Sequence, residues 1–136
     1  MFTPVIKLEH TDSRGELYSI SLPGDKELIL LHSTKGSLRG GHSHDVDELV
    51  ALLSGKMLYH KLKRGEYPGQ EEVWAEEMFP GQASFNPADV VHMGEFTEDS
   101  WVIEQKLAKM WDWENTNYAP WRKRVEGNAA SIKSAV

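Results

Sequence analysis

Gly36-Ser37-Leu38-Arg39-Gly40-Gly41-His42-Ser43-His44-Asp45-Val46-Asp47-Glu48 is the stretch around which this chain is organised. His42 and His44 are separated by one residue, which on an extended chain puts both imidazoles on one face. Glu48 has the parity of Val50 and Leu52, so a strand through this stretch points its carboxylate where those apolar side chains point, into an interior. A buried carboxylate is costly unless it is paired, hydrogen-bonded or bound to a cation. The neighbouring histidines can meet that cost by sharing a cation with it. His92, on a strand that begins after Pro87 and sharing a face with Val90, is the fourth candidate. Three imidazoles and one carboxylate suit iron, manganese, nickel, zinc, cobalt or copper, and leave coordination positions that a substrate or dioxygen can reach.

Outward from that stretch, short apolar segments alternate with turn residues. Strands are predicted at Glu16–Leu22, Glu27–His32, Glu48–Leu53, Lys56–Leu62, Glu71–Phe79, Gln82–Asn86, Val90–Phe96 and Trp101–Leu107. Gly15, Pro23-Gly24, Lys35-Gly36, Ser54-Gly55, Pro68-Gly69, Pro80-Gly81, Pro87 and Glu98-Asp99 punctuate them. Tyr18, Ile20 and Leu22 share one face of the first, and Glu27–His32 is nearly continuous in apolar residues, as in a strand buried on both sides. So many short strands imply an all-β sandwich or barrel over residues 1–109. Residues 110–126 differ: Trp111, Trp113, Tyr118 and Trp121 are interrupted by Asn115, Asn117 and Pro120, which predicts an extended aromatic segment packed on the barrel or on a second subunit. Residues 127–136 are small and polar and are expected to form a disordered tail.

Composition narrows the function. The 136 residues fit one domain, 40% apolar and 26% charged, with a net charge of −6. That charge argues against binding nucleic acid, and Arg122-Lys123-Arg124 reads as a solvated run. The longest apolar runs, Leu28–Leu31 and Leu49–Leu53, are too short to span a bilayer, so no membrane partner is expected. The start of the chain lacks the pattern of a secretory signal, and the expected location is the cytoplasm. With no cysteine, any metal must be held by nitrogen and oxygen.

Gly36 to Glu48, followed by Leu49–Ser54 and Gly55, resembles the first motif of the cupin superfamily: Gly, five residues, His-x-His, three or four residues, Glu, six residues, Gly. A second cupin motif is matched in part by Gly81, Pro87 and His92, with Asp89 where the family usually has Gly and Phe96 where it has Asn. The resemblance implies a double-stranded β-helix, the RmlC-like jelly-roll barrel, with an aromatic-rich C-terminal extension. It also implies one divalent transition metal on His42, His44, Glu48 and His92, with His42, His44 and Glu48 at the reacting centre. The implied chemistry is that of an oxygenase, isomerase or lyase acting on a small polar substrate.

Asp12-Ser13-Arg14-Gly15-Glu16-Leu17, Ser33-Thr34-Lys35-Gly36 and Arg39-Gly40-Gly41-His42-Ser43-His44 are also similar to segments of dTDP-keto-sugar isomerases and epimerases of the same superfamily. That likeness implies metal-free proton transfer by His42 and His44, with Arg39 on the substrate's phosphates. A third possibility is a noncatalytic metal- or ligand-binding module. Tyr59 and Gln105 are further candidate substrate contacts: Tyr59 and His60 lie on opposite faces of one strand, so only one of them points inward, and Gln105 lies at the barrel mouth on the face of Trp101 and Ile103. His10, His32 and His60 lack ligand spacing and are expected at the surface or in satisfied core positions. Arg14 and Asp12 are expected to fix a turn. Exposed sheet edges and the Trp-rich segment together predict a homodimer.

Overall fold

The computed structural model describes residues 3–24, 26–44, 46–67, 69–106 and the backbone of 116–117. The Trp-rich segment over 110–126, apart from that dipeptide, and the tail over 127–136 lie outside the described residues. The strands are β1 (Ile6–Asp12), β2 (Gly15–Leu22), β3 (Lys26–Ser33), β4 (Leu38–Ser43), β5 (Glu48–Ser54), β6 (Met57–Lys63), β7 (Glu72–Met78), β8 (Ala83–Asn86), β9 (Val91–Phe96), β10 (Ser100–Lys106) and β11 (Thr116–Asn117). All eight expected strands are present, their ends displaced by a residue. β1, β4 and β11 are additional. β4 is obscured in the sequence by Gly40-Gly41, poor strand formers. β1 is exposed along its whole length and so carries no burial alternation. No described helix is long and apolar enough to cross a membrane.

Two antiparallel sheets face each other, one in the order β1-β2-β3-β10-β5-β8 and the other β11-β4-β9-β6-β7. Alternation sorts each strand into an inner and an outer face. Val102 of β10 lies between Leu31 of β3 and Leu52 of β5 in the ladder, and all three are buried. With Val50, Met57, Tyr59, Met78 and Phe96 they form the main apolar cluster. Leu62, Val91 and Met93 form a smaller one. Tyr18, Ile20 and Leu22 do share a face of β2, but it is the outer one, where Tyr18 stacks on Trp101 with ring centroids 6.4 Å apart. β3 is buried on its inner face at Ile29 and Leu31 and only half-buried on its outer face, which corrects the expectation of burial on both sides.

Buried polar side chains tie the two sheets together. Arg39 of β4 reaches β3, donating from Nε to Ser33 Oγ at 2.8 Å and from Nη2 to the His32 carbonyl at 3.0 Å. Lys61 of β6 does the same on the other side, donating to Ser84 Oγ and to the Phe85 carbonyl of β8 and pairing with Glu76 of β7 at 3.2 Å. These bonds offset the cost of keeping the two cations inside the fold.

Candidate metal centre

The histidines converge because β4 is bulged. Its pairing with β9 shifts between Gly40 and His42, after which His42 sits opposite His92. The bulge needs glycine: Gly40 has φ of +103°, and a Cβ there would stand 2.7 Å from the His92 carbonyl oxygen. Past the end of β4, the His44 carbonyl accepts a hydrogen bond from Asp89 N at 2.9 Å. Asp89 has φ of +69°, alone among the described non-glycine residues in being positive. It thus adopts the left-handed conformation for which glycine is favoured, and the turn before His92 is kept.

The ring centroids of His42 and His44 are 4.7 Å apart, those of His42 and His92 4.9 Å, and those of His44 and His92 5.3 Å. One ligand nitrogen from each of the three lies within 4.8 Å of the others, so the three histidines could hold a metal ion. Glu48 reaches the same place from the facing sheet. Its Oε2 is 3.2 Å from His44 Nε2, and its Oε1 is 3.3 Å from His92 Nε2. Ligands about 2.1 Å from one ion stand about 3.0–3.4 Å apart when adjacent and about 4.2 Å when opposite. The two Glu48 spacings fall in the adjacent range, and the imidazole nitrogens lie within 4.8 Å of one another.

Protonation points the same way. His92 Nδ1 lies 3.4 Å from the Val90 carbonyl, an acceptor only, which assigns the proton to Nδ1 and leaves a lone pair on Nε2. That lone pair faces a carboxylate oxygen, an arrangement that is favourable only with a proton or a cation between them. Burial first, then the charges of His42 and His44, hold His92 well below the usual imidazole range, so it is neutral and ready to ligate. Glu48, 1% exposed, is raised by burial to about 7, against the hydrogen bond from Asn86 and the charge of Lys106. Among the described residues its Oε2 has no hydrogen-bond partner. The donor set fits a divalent transition metal.

The surrounding groups were less visible in the sequence. Asn86 Nδ2 donates to Glu48 Oε1 at 3.3 Å and to Tyr59 Oη at 2.7 Å, and the Tyr59 ring lies 5.8 Å from that of His92. Tyr59 is therefore the inward member of the Tyr59/His60 pair, and its phenol is held well above its usual range by burial and then by Glu48. Asn86 was missed because Phe85, the apolar residue beside it, has the opposite parity and would claim the inner face, whereas in β8 Phe85 is exposed and Ser84 and Asn86 are buried. Gln105 is not on the inner face. It pairs with Leu49 on the outside of the larger sheet, and the inward residues of β10 are Val102, Glu104 and Lys106. Arg39 is inward, but its described hydrogen bonds go to β3 rather than toward the histidines. Glu104 is raised to about 8 by burial and then by Glu48. His10, His32 and His60 each meet a carboxylate, at 2.9 Å from Asp12, 2.7 Å from Glu16 and 3.3 Å from Glu95. Arg14 grips Asp12 through its backbone N and guanidinium, holding that carboxyl well below the usual range and fixing the turn.

No family model matches the chain, and no curated protein matches it. Solved structures do. The capsular polysaccharide assembling protein CapF from Staphylococcus aureus superposes on 86% of this chain with a TM-score of 0.65 at 18% identity, and the chain spans 33% of CapF. KdgF from Halomonas sp. covers 74% of this chain, which covers 85% of KdgF, with a TM-score of 0.56 at 17% identity. The hydroquinone 1,2-dioxygenase PnpCD, solved in complex with Cd2+ and 4-hydroxybenzonitrile, matches 65% of this chain and 61% of its own with a TM-score of 0.52 at 12% identity. These are cupin-fold proteins, and the chain has the cupin fold.

Proposed function

We propose that this chain is a metal-dependent cupin enzyme acting on a small polar substrate by oxygenase, isomerase or lyase chemistry, with one divalent transition metal on His42, His44, His92 and Glu48. The observation that carries this reading is the convergence of three imidazoles with a buried carboxylate whose oxygens lie 3.2 and 3.3 Å from two of their nitrogens. An ion held by His42, His44, His92 and Glu48 would supply Lewis acidity toward a substrate oxygen. The protein's own part is positioning. Val90 and Asn86 orient His92 and Glu48 from behind, as partners of metal ligands do. Buried Val50 and Leu52 follow Glu48 along the inner face of β5. His42, half-buried while His44 and His92 are buried, gives the cluster its most accessible edge. The fully exposed edge strand β1 supports pairing with a second copy of the chain. The test is a substrate screen on chelator-treated and metal-reconstituted protein. Turnover that returns only with metal and is lost in Glu48→Gln is expected, and equal turnover with and without metal would sink the reading.

A second reading has one specific support, the likeness over 86% of this chain to a capsular polysaccharide assembling protein. It makes His42 and His44 a metal-free acid/base pair on a nucleotide-linked keto sugar, a task suited to imidazoles titrating near neutrality. It predicts isomerisation of a dTDP-linked keto sugar by chelator-treated protein and its loss in His42→Ala or His44→Ala. No turnover of such a sugar removes it.

A further inference from the structure

The two sheets differ in what they turn outward. The outer face of the smaller sheet carries charge: His60 pairs with Glu95 at 3.3 Å, and Glu77 pairs with Lys56 at 2.9 Å. The larger sheet is apolar from edge to edge. Its ladder sets Leu8, Tyr18, Leu30, Ile103, Ala51 and Ala83 side by side across all six strands. Their strand neighbours Leu31, Val102, Val50 and Leu52 belong to the core, so this row points away from it. The next row runs through Ile6, Ile20 and Leu28 and, beyond Gln105, through Leu49 and Phe85. On the other flank the Trp101 ring stacks on that of His32, with centroids 4.6 Å apart. Ile6, Leu8, Leu49, Leu53 and Phe85 are between 38% and 65% exposed.

Area and charge select the occupant. Six strands about 4.8 Å apart and three rows about 7 Å apart give a flat footprint of about 600 Å². That is the upper end for the largest apolar patch of a monomer, and two such faces in contact bury about 1,200 Å², where stable interfaces begin. Within β2, β3, β5, β8 and β10 the charged residues of this face stand at its two ends, Lys26 opposite Leu22 and Glu16 opposite His32. A two-fold axis in the plane of the sheet and across its strands lays the lysine end of one copy over the glutamate end of the other, with the apolar rows between them. The face is thus complementary to itself. Thr116-Asn117, the described part of the C-terminal segment, pairs with β4 in the other sheet and lies away from this face.

We propose that the outer face of the larger sheet binds a second copy of this chain, face to face about a two-fold axis. The contact differs from backbone pairing along the β1 edge, and it stands whether or not the histidine cluster holds metal. Sheets packed in this way lie about 10 Å apart with interdigitated side chains. Tyr18 and Trp101 supply the large aromatic surfaces that anchor the centres of interfaces.

Sedimentation equilibrium of tag-free full-length protein, from about 1 to about 100 µM, tests the proposal. The expected mass is twice the 15.4 kDa of one chain. Leu53→Glu with Phe85→Glu changes two positions that are each 49% exposed, where a folded single chain accepts charge. In the pair of chains it brings like charges together in a desolvated contact, and the dissociation constant is expected to rise about a hundredfold or more. Leu53→Ser with Phe85→Ser, which adds no charge, is expected to raise it about tenfold. Val73→Glu, at a position 55% exposed on the outer face of the smaller sheet, leaves the mass unchanged. Far-UV circular dichroism checks that each variant is folded. A monomeric mass for the unmodified protein at the highest concentration overturns the proposal and leaves the face to the chain's own C-terminal segment or to another protein. A dimer that the folded double variants leave intact, or that Val73→Glu disrupts equally, overturns it as well.

Discussion

Four strands cross the same barrel interior and change character on the way. β5 passes from Glu48 to Val50 and Leu52, β10 from Lys106 and Glu104 to Val102, β9 from His92 to Phe96, and β6 from Lys61 through Tyr59 to Met57. Glu48, Lys61, Lys106 and His92 are as thoroughly buried as Val50, Leu52, Met57 and Phe96. Burial alone therefore does not separate the two ends. What separates them is the sign of its contribution: the apolar end gains free energy with each area removed from water, and the polar end loses it unless a partner is supplied. Stability is thus concentrated at one end of the strands and ligand chemistry at the other, so substitutions at the two ends should move different observables.

The largest effect is expected at the apolar end. Leu52→Ala, at a position with no exposure, should cost about 2–5 kcal/mol in urea denaturation, while the folded fraction binds metal with unchanged stoichiometry. Loss of metal without loss of stability would break the division. At the other end, Glu48→Gln should lower metal affinity about a hundredfold or more, and the thermal midpoint of the metal-free protein should hold or rise because a desolvated carboxyl is removed. Unchanged metal content in that variant contradicts the ligand assignment.

The same end should make the metal-free protein sensitive to base. Glu48 and Glu104, at about 7 and about 8, lie above the ordinary 4.5, so the folded state holds protons that the unfolded state has released. Stability is then full below the ordinary value and falls as pH rises through 7 and 8. Thermal unfolding in chelator should show a midpoint declining from about pH 5 to about pH 9, with a shallower decline in Glu104→Gln. A flat profile would mean that these carboxyls are better solvated than their positions indicate. The smallest effect is expected from Asn86→Ala, which removes the orienting hydrogen bond to Glu48 and should cost about tenfold in metal affinity.

The residues that set this division were unevenly legible in the sequence. His42, His44 and Glu48 could be read from parity alone, because Val50 and Leu52 mark the inner face of β5. β10 could not. Trp101 and Ile103 are as apolar as Val102, so alternation gives two equivalent faces, and only pairing with Leu31 and Leu52 shows that Val102 is inside. Choosing the other face put Gln105 at the mouth and hid Glu104 and Lys106. Arg39 was legible as a residue near the histidines, yet its hydrogen bonds depend on β3 lying across the barrel, a tertiary fact. Asp89 shows the converse: a departure from the family's glycine that the backbone absorbs, because an aspartate tolerates positive φ.

The most direct test of the metal centre is elemental analysis of tag-free protein, counting transition metal per chain. The account predicts about one equivalent, lost in Glu48→Gln. Metal near zero, with no uptake after adding Fe(II), Mn(II) or Zn(II), would contradict it.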